Sequence, residues 1–164
     1  MATAVLPRKG IRILDKINRV VVVELPAILA ELEGGHEMSW AILDLYATGD
    51  LGPTVSMPKF EERIRLASKG LKITWNELTE LSSKFWDLMD ILLIGSNEGE
   101  FLHRYSNDRE MYESCDVVIE MVDSHFLEVF AKDDAFIKRL AAKFERIELI
   151  SSDCLGRTER NWNR

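Results

Sequence analysis

Val117-Val118-Ile119-Glu120-Met121-Val122-Asp123-Ser124-His125-Phe126-Leu127-Glu128-Val129-Phe130 reads as a strand, a tight polar turn and a second strand. β-branched and aromatic residues fill both arms, which is the composition of a pleated, half-buried surface. The turn length decides the register. With the three-residue loop Asp123 to His125, Glu120 falls directly opposite Glu128, and like charges in that position repel. A compensating cation is then expected, either a lysine or arginine of a partner or a divalent metal held by carboxylates. A two-residue loop instead pairs Glu120 with Leu127 and removes the conflict.

Working outward from the hairpin, Asp133 is placed to cap a helix whose Phe136, Ile137, Leu140, Ala141 and Phe144 share one face, and Ile147 to Ile150 reads as a closing strand. Upstream, Ile91-Leu92-Leu93-Ile94 ends at Gly95 and is continuously apolar, as expected of a central strand covered on both faces. Residues 107 to 114 predict one or two acidic helical turns. Thr74-Trp75-Asn76-Glu77 has the capping-box arrangement, with Ile73 and Leu78 spaced as a staple, and predicts a helix from Trp75 to Leu88 carrying Trp75, Leu78, Leu81, Phe85 and Leu88 inward. Ser56 and Pro58 introduce an earlier helix through Phe60, Ile64 and Ala67, closed by Gly70. Trp40 to Tyr46 predicts a strand on which Trp40, Ile42 and Asp44 share one face and Leu43 and Leu45 the other. Pro26 opens a short helix through Leu32, and two strands, 11–14 and 19–24, begin the chain.

Hairpins mixed with amphipathic helices, without regular strand and helix alternation, predict an α+β fold. The expectation is one domain over residues 1–153, with a mostly antiparallel sheet of about five to seven strands covered by three or four helices. Residues 154–164, with Arg157, Arg160, Trp162 and Arg164, show no periodicity and are expected to be loosely ordered.

The chain has 164 residues, of which 46% are hydrophobic and 30% charged, the balance of an ordinary globular protein. Cys115 and Cys154 lie in no CxxC or Cys/His spacing and read as reduced thiols. The N-terminal nine residues lack the apolar core of a signal peptide, and Leu88 to Ile94 is far shorter than a membrane helix, so a cytoplasmic protein without membrane contact is expected. Net charge is -7, and residues 108 to 134 hold nine acids against Arg109 and Lys132, enough to account for all of it. Direct nucleic-acid binding wants the opposite sign, because affinity there comes from lysine and arginine displacing counterions. A basic protein partner fits instead.

No phosphate loop, GxGxxG, GxSxG, HExxH or paired CxxC is present. His36, His103 and His125 sit in loops or at strand ends. Asp123-Ser124-His125 holds the residue types of a hydrolytic triad, yet neighbours in a tight turn point in different directions and cannot act together. No catalytic residue, metal site or cofactor is assigned, and the chain is read as a binding protein rather than an enzyme. Candidate contacts for a basic partner are Asp116, Glu120, Asp123 and Glu128, then Trp40 and Asp44, where an aromatic ring beside an acid can receive arginine.

Residues 117–133, the amphipathic helix to Phe144 and Arg146-Ile147-Glu148-Leu149, together with Trp40-Ala41-Ile42-Leu43-Asp44-Leu45 ahead of Gly49-Asp50, resemble the small acidic immunity proteins of bacterial polymorphic toxin systems, including those of contact-dependent growth inhibition. The resemblance covers about half the chain. It implies a non-enzymatic inhibitor whose acidic surface docks on a basic toxin domain, such as a nuclease, and excludes its substrate. A small enzyme with a scattered carboxylate site and an adaptor domain of a larger assembly are the alternative readings.

Overall fold

The computed structural model describes residues 6–17, 20–21 and 24–153. The expected loose tail, 154–164, lies outside them. The chain runs β1 (Lys9–Ile13), β2 (Lys16–Ile17), β3 (Val20–Val21), α1 (Leu25–Leu29), β4 (Ser39–Gly49), α2 (Met57–Leu66), β5 (Leu71–Ile73), α3 (Trp75–Ser82), β6 (Phe85–Ser96), α4 (Asp108–Ser114), β7 (Val117–Val122), β8 (Phe126–Ala131), α5 (Asp134–Lys143) and β9 (Ile147–Ser151), with single 3-10 turns at Gly35–Glu37 and Gly99–Phe101. Seven strands form one antiparallel sheet in the order β5-β4-β6-β7-β8-β1-β9. The fold is α+β, as the mixture of hairpins and helices predicts. Of the two strands expected at 11–14 and 19–24, the first is β1, which inserts between β8 and β9; the second lies partly outside the described residues, and its Val20–Val21 pairs with β2 in a separate ribbon. No helix among the described residues is long and apolar enough to cross a membrane.

Helices α1, α2, α3 and α5 cover one face of the sheet, called here the helix side. Leu25, Ile28, Ile64, Leu78, Phe136 and Leu140 pack there on Ile11, Ile13, Ile42, Ile91, Leu93, Ile119 and Val129. Burying each such side chain contributes roughly 1.5–3 kcal/mol. The opposite face is covered over its upper part by α4 and residues 101–105, where Tyr105, Met111, Tyr112 and Cys115 pack on Ala41, Leu43, Leu92, Ile94, Val118 and Phe130. The run Ile91 to Ile94 is therefore covered on both faces, but the central strand is β7, with β6 one place to its side.

Local signals place the helices. Thr74 accepts the Glu77 amide at 3.2 Å, Ser56 caps α2 by accepting from Lys59, and Asp133 caps α5 by accepting from Ala135 at 3.0 Å. Gly70 takes the left-handed φ of 86° that its position after α2 demands.

The predicted helix from Trp75 to Leu88 ends at Ser82 and gives way to a twelve-residue strand. Bulges explain the misreading. The β4–β6 register shifts between Tyr46 and Ala47 and again between Thr48 and Gly49, leaving Met89 and Trp86 as extra residues of β6. Each extra residue lengthens the interval between core-facing positions from two to three, so Phe85, Leu88 and Ile91 imitate helical spacing. A further bulge at Leu43 resets β4: Trp40 and Ile42 face the helix side, and so do Leu45 and Ala47, while Asp44 turns to the opposite face beside Leu92. The expected sharing of one face by Ile42 and Asp44 is thus corrected.

Candidate functional site

The nine acids of residues 108 to 134 do not gather on one surface. Asp108 is fully buried, Asp133 caps α5, Asp134 lies 3.5 Å from Lys9, and Glu113 bonds Arg109 at 3.0 Å and the Ser152 hydroxyl at 2.8 Å. Asp116 lines a cleft of about 700 Å³ between α4 and the Ser96–Phe101 segment. Its Oδ2 accepts the Asn97 amide at 2.7 Å and the Ser96 hydroxyl at 3.3 Å. Arg8, on the same wall, donates to the carbonyls of Tyr112 and Glu113 at the end of α4.

Glu120 and Glu128 do stand opposite one another, because Val122 pairs with Phe126 and leaves the three-residue loop. Asp123 and Ser124 hold φ of 47° and 55°, the left-handed pair that a tight hairpin needs. The compensating cation belongs to the chain itself. Arg12, opposite Glu128 on β1, places Nη2 2.7 Å and Nε 2.9 Å from Glu128 Oε1 and Nη1 3.2 Å from Glu148. The Tyr112 hydroxyl donates to Glu120 at 3.4 Å. Both glutamates are only 3% exposed, so neither offers a surface to a partner, and the expectation that they contact one is corrected. No group of three His, Cys, Asp or Glu side chains able to hold a metal occurs among the described residues.

Trp40 is likewise a core residue, 1% exposed. It lies over its cross-strand neighbour Gly95, where a Cβ would come within 2.6 Å of the ring, its Nε1–H donates to Gly35 O at 2.7 Å, and its ring packs 5.4 Å from Trp75. It cannot meet a partner without unfolding the sheet edge, which corrects the second expected contact cluster.

Asp123 stands exposed in the turn between β7 and β8, and Asp44 remains at the surface, toward the lower end of the sheet on the face opposite the helices. There the bulge at Leu43 brings Asp44 into line with Tyr46 and Thr48, all exposed, and the paired positions of β6 are Asp90 and Asp87. Tyr46 is 57% and Trp86 73% exposed. The hairpin turn joins this edge: Asp90 Oδ1 accepts the Asp123 amide at 2.7 Å, and Met89 O accepts the Ser124 amide at 2.9 Å. Thr48 and Asp87 exchange hydrogen bonds at 3.2 and 3.5 Å. No apolar side chain of α1 to α5 packs on Asp44, Tyr46 or Thr48, in contrast to the upper half beneath α4, although Glu61 of α2 accepts the Ala47 amide at 3.5 Å.

Asp123, Ser124 and His125 form no catalytic array. His125 Nδ1 lies 2.6 Å from Asp123 O and 3.6 Å from its carboxylate, while Ser124 is held by its amide. Behind the exposed strip, Arg104 donates to Leu43 O, to Ile64 O at 2.7 Å and to Ala67 O at 3.2 Å, tying the bulge to the end of α2. Burial lowers its pKa, and the nearby Asp44 opposes that shift.

A helix expected to run to Leu88 takes Trp86 and Asp87 off the sheet, and Asp90 falls in the gap before the expected strand at Ile91, so sequence reasoning misses all three. The signal that could have found them is the strand-like run from Ile91 extended backward with one bulge per turn of apparent helix. No protein-family model, no curated protein and no solved structure matches the chain at a significant level.

Proposed function

We propose that this chain is a non-enzymatic binding protein that receives a basic protein partner on the uncovered lower half of its sheet, in the manner of a bacterial immunity protein occluding a toxin domain. One observation carries the reading: Tyr46 stands 57% exposed on the lower part of the sheet face, beyond the cover of α4, with Asp44, Asp90 and Asp87 on the same and the paired strand. An aromatic ring among carboxylates accepts lysine and arginine, which approach by charge and are held by cation–π contact. Acids on this face disfavour nucleic acid as a direct ligand. A nuclease as the partner follows from the resemblance to immunity proteins, and a place in the cytoplasm belongs to the same proposal.

Affinity capture from the native cell, with mass spectrometry, should recover one basic domain in equal amount. Its on-rate should fall as salt rises. Tyr46→Ala and Asp87→Arg should each weaken that complex by about tenfold or more, equivalent to roughly 1.4 kcal/mol. A captured partner whose affinity ignores both substitutions, or a chain that turns over a small molecule, would overturn the proposal.

A further inference from the structure

The two edges of the sheet are built differently. β5 is three residues long, Leu71 to Ile73, and short edge strands resist pairing with other chains. β9, at the other edge, pairs with β1 in unbroken register over all five residues, and within it there is no proline, no lysine and no bulge. Leu149, at its centre, is 74% exposed. Among the described residues no strand pairs with its outer side.

The ladder phase fixes which backbone groups point outward. Leu14 N–H donates to Arg146 O at 2.8 Å and Ser152 N–H to Arg8 O at 2.9 Å. Hydrogen-bonded pairs alternate along an antiparallel ladder. The pairs Gly10·Ile150 and Arg12·Glu148 therefore exchange bonds with β1, and the N–H and C=O groups of Ile147, Leu149 and Ser151 face away from it.

We propose that β9 pairs antiparallel with β9 of a second copy about a two-fold axis through Leu149, joining two sheets edge to edge. The occupant is argued from self-complementarity. With the axis at Leu149, that residue exchanges both its bonds with its own copy, and Ile147 meets Ser151 on either side, so every outward donor finds an acceptor. Glu148 falls opposite Ile150 rather than opposite itself, and Arg12 Nη1 donates to it at 3.2 Å. Leu149 meets Leu149 on the helix side, where it is the cross-strand neighbour of Ile11. An interface of this kind uses the same patch on both partners, as a closed dimer requires.

Sedimentation velocity of the full chain across rising concentration should show the mass moving from one chain to two. Leu149→Pro removes only an outward N–H, a change that edge strands tolerate, and should leave a monomer with unchanged circular dichroism. Leu149→Lys, which sets like charges opposite one another, should do the same. Conversely, Leu149→Cys in a Cys154→Ser background should be joined into a covalent pair by a short bis-maleimide, since Cα atoms of a hydrogen-bonded pair lie about 5.5 Å apart. A wild-type chain that stays monomeric throughout overturns the proposal, including the case in which the Leu149 and Ser151 amides become protected only on adding another protein. Dimers that persist in both Leu149→Pro and Leu149→Lys overturn it too.

Discussion

Glu120 and Glu128 face one another across β7 and β8, each almost fully buried, and Arg12 of β1 lies against Glu128 rather than leaving that carboxylate for an outside cation. Arg12→Met therefore leaves a buried carboxylate without its guanidinium. Removing one partner of a fully buried pair costs about 3–5 kcal/mol, and about 2–3 kcal/mol is expected here because the Arg12 side chain keeps some exposure. Glu128→Gln added to Arg12→Met should recover a good part of the loss. Urea denaturation measures both, and an unchanged midpoint for Arg12→Met would show that the row of charges is not coupled.

Gly95 lies beneath Trp40, with space for no Cβ. Gly95→Ala should destabilise by about 1–3 kcal/mol through overpacking and should alter the near-ultraviolet circular dichroism of the Trp40–Trp75 pair. Retention of both stability and spectrum would mean that the tryptophan is less confined than its surroundings indicate.

The hairpin turn holds two non-glycine residues at positive φ. Ser124→Gly relieves about 1–2 kcal/mol of left-handed strain against about 0.4–1 kcal/mol of added unfolded-chain entropy, so stability should rise by about 0.5–1 kcal/mol, seen as a higher melting temperature. A lower melting temperature would place the main role of Ser124 in its side chain.

Burial pushes the Cys115 thiol from 9.0 to about 11 and raises the Tyr105 phenol as well. Both groups stay protonated in the folded chain at pH values where the unfolded chain has begun to lose those protons. The sign follows: stability is full below pH 9, declines as pH rises toward 11, and the unfolded state binds fewer protons across that window. Cys115→Ala should flatten part of this decline in a pH series of denaturation curves, whereas an identical slope in the variant would rule the thiol out as a contributor. The same burial predicts that Cys115 resists alkylation in the native chain.

Much of the fold was legible because its signals are local. Val117 to Phe130 alternates cleanly about a turn, and Thr74, Ser56 and Asp133 cap the helices they precede. What sequence reading loses is phase. Bulges at Leu43, Met89 and Trp86 each add a residue without adding a turn, so Phe85 and Leu88 look helical and Asp44 looks as if it shares a face with Trp40 and Ile42. The site was harder still, because charge density along the chain is not charge density in space. Asp116, Glu120, Asp123 and Glu128 lie within thirteen residues, yet they end in a cleft, inside the sheet, at a turn and against Arg12. Asp87 and Asp90, remote in sequence from Asp44, join it only through strand pairing.

The bulge at Leu43 works as a frozen dislocation. Were it to anneal away by sliding toward Gly49, Asp44, Tyr46 and Thr48 would swing under α2 while Leu45 and Ala47 emerged into water, a simultaneous inversion of wet and dry on one strand. That inversion is far too unfavourable to occur by fluctuation, so a single surplus peptide unit sets the polarity of everything downstream of it on β4.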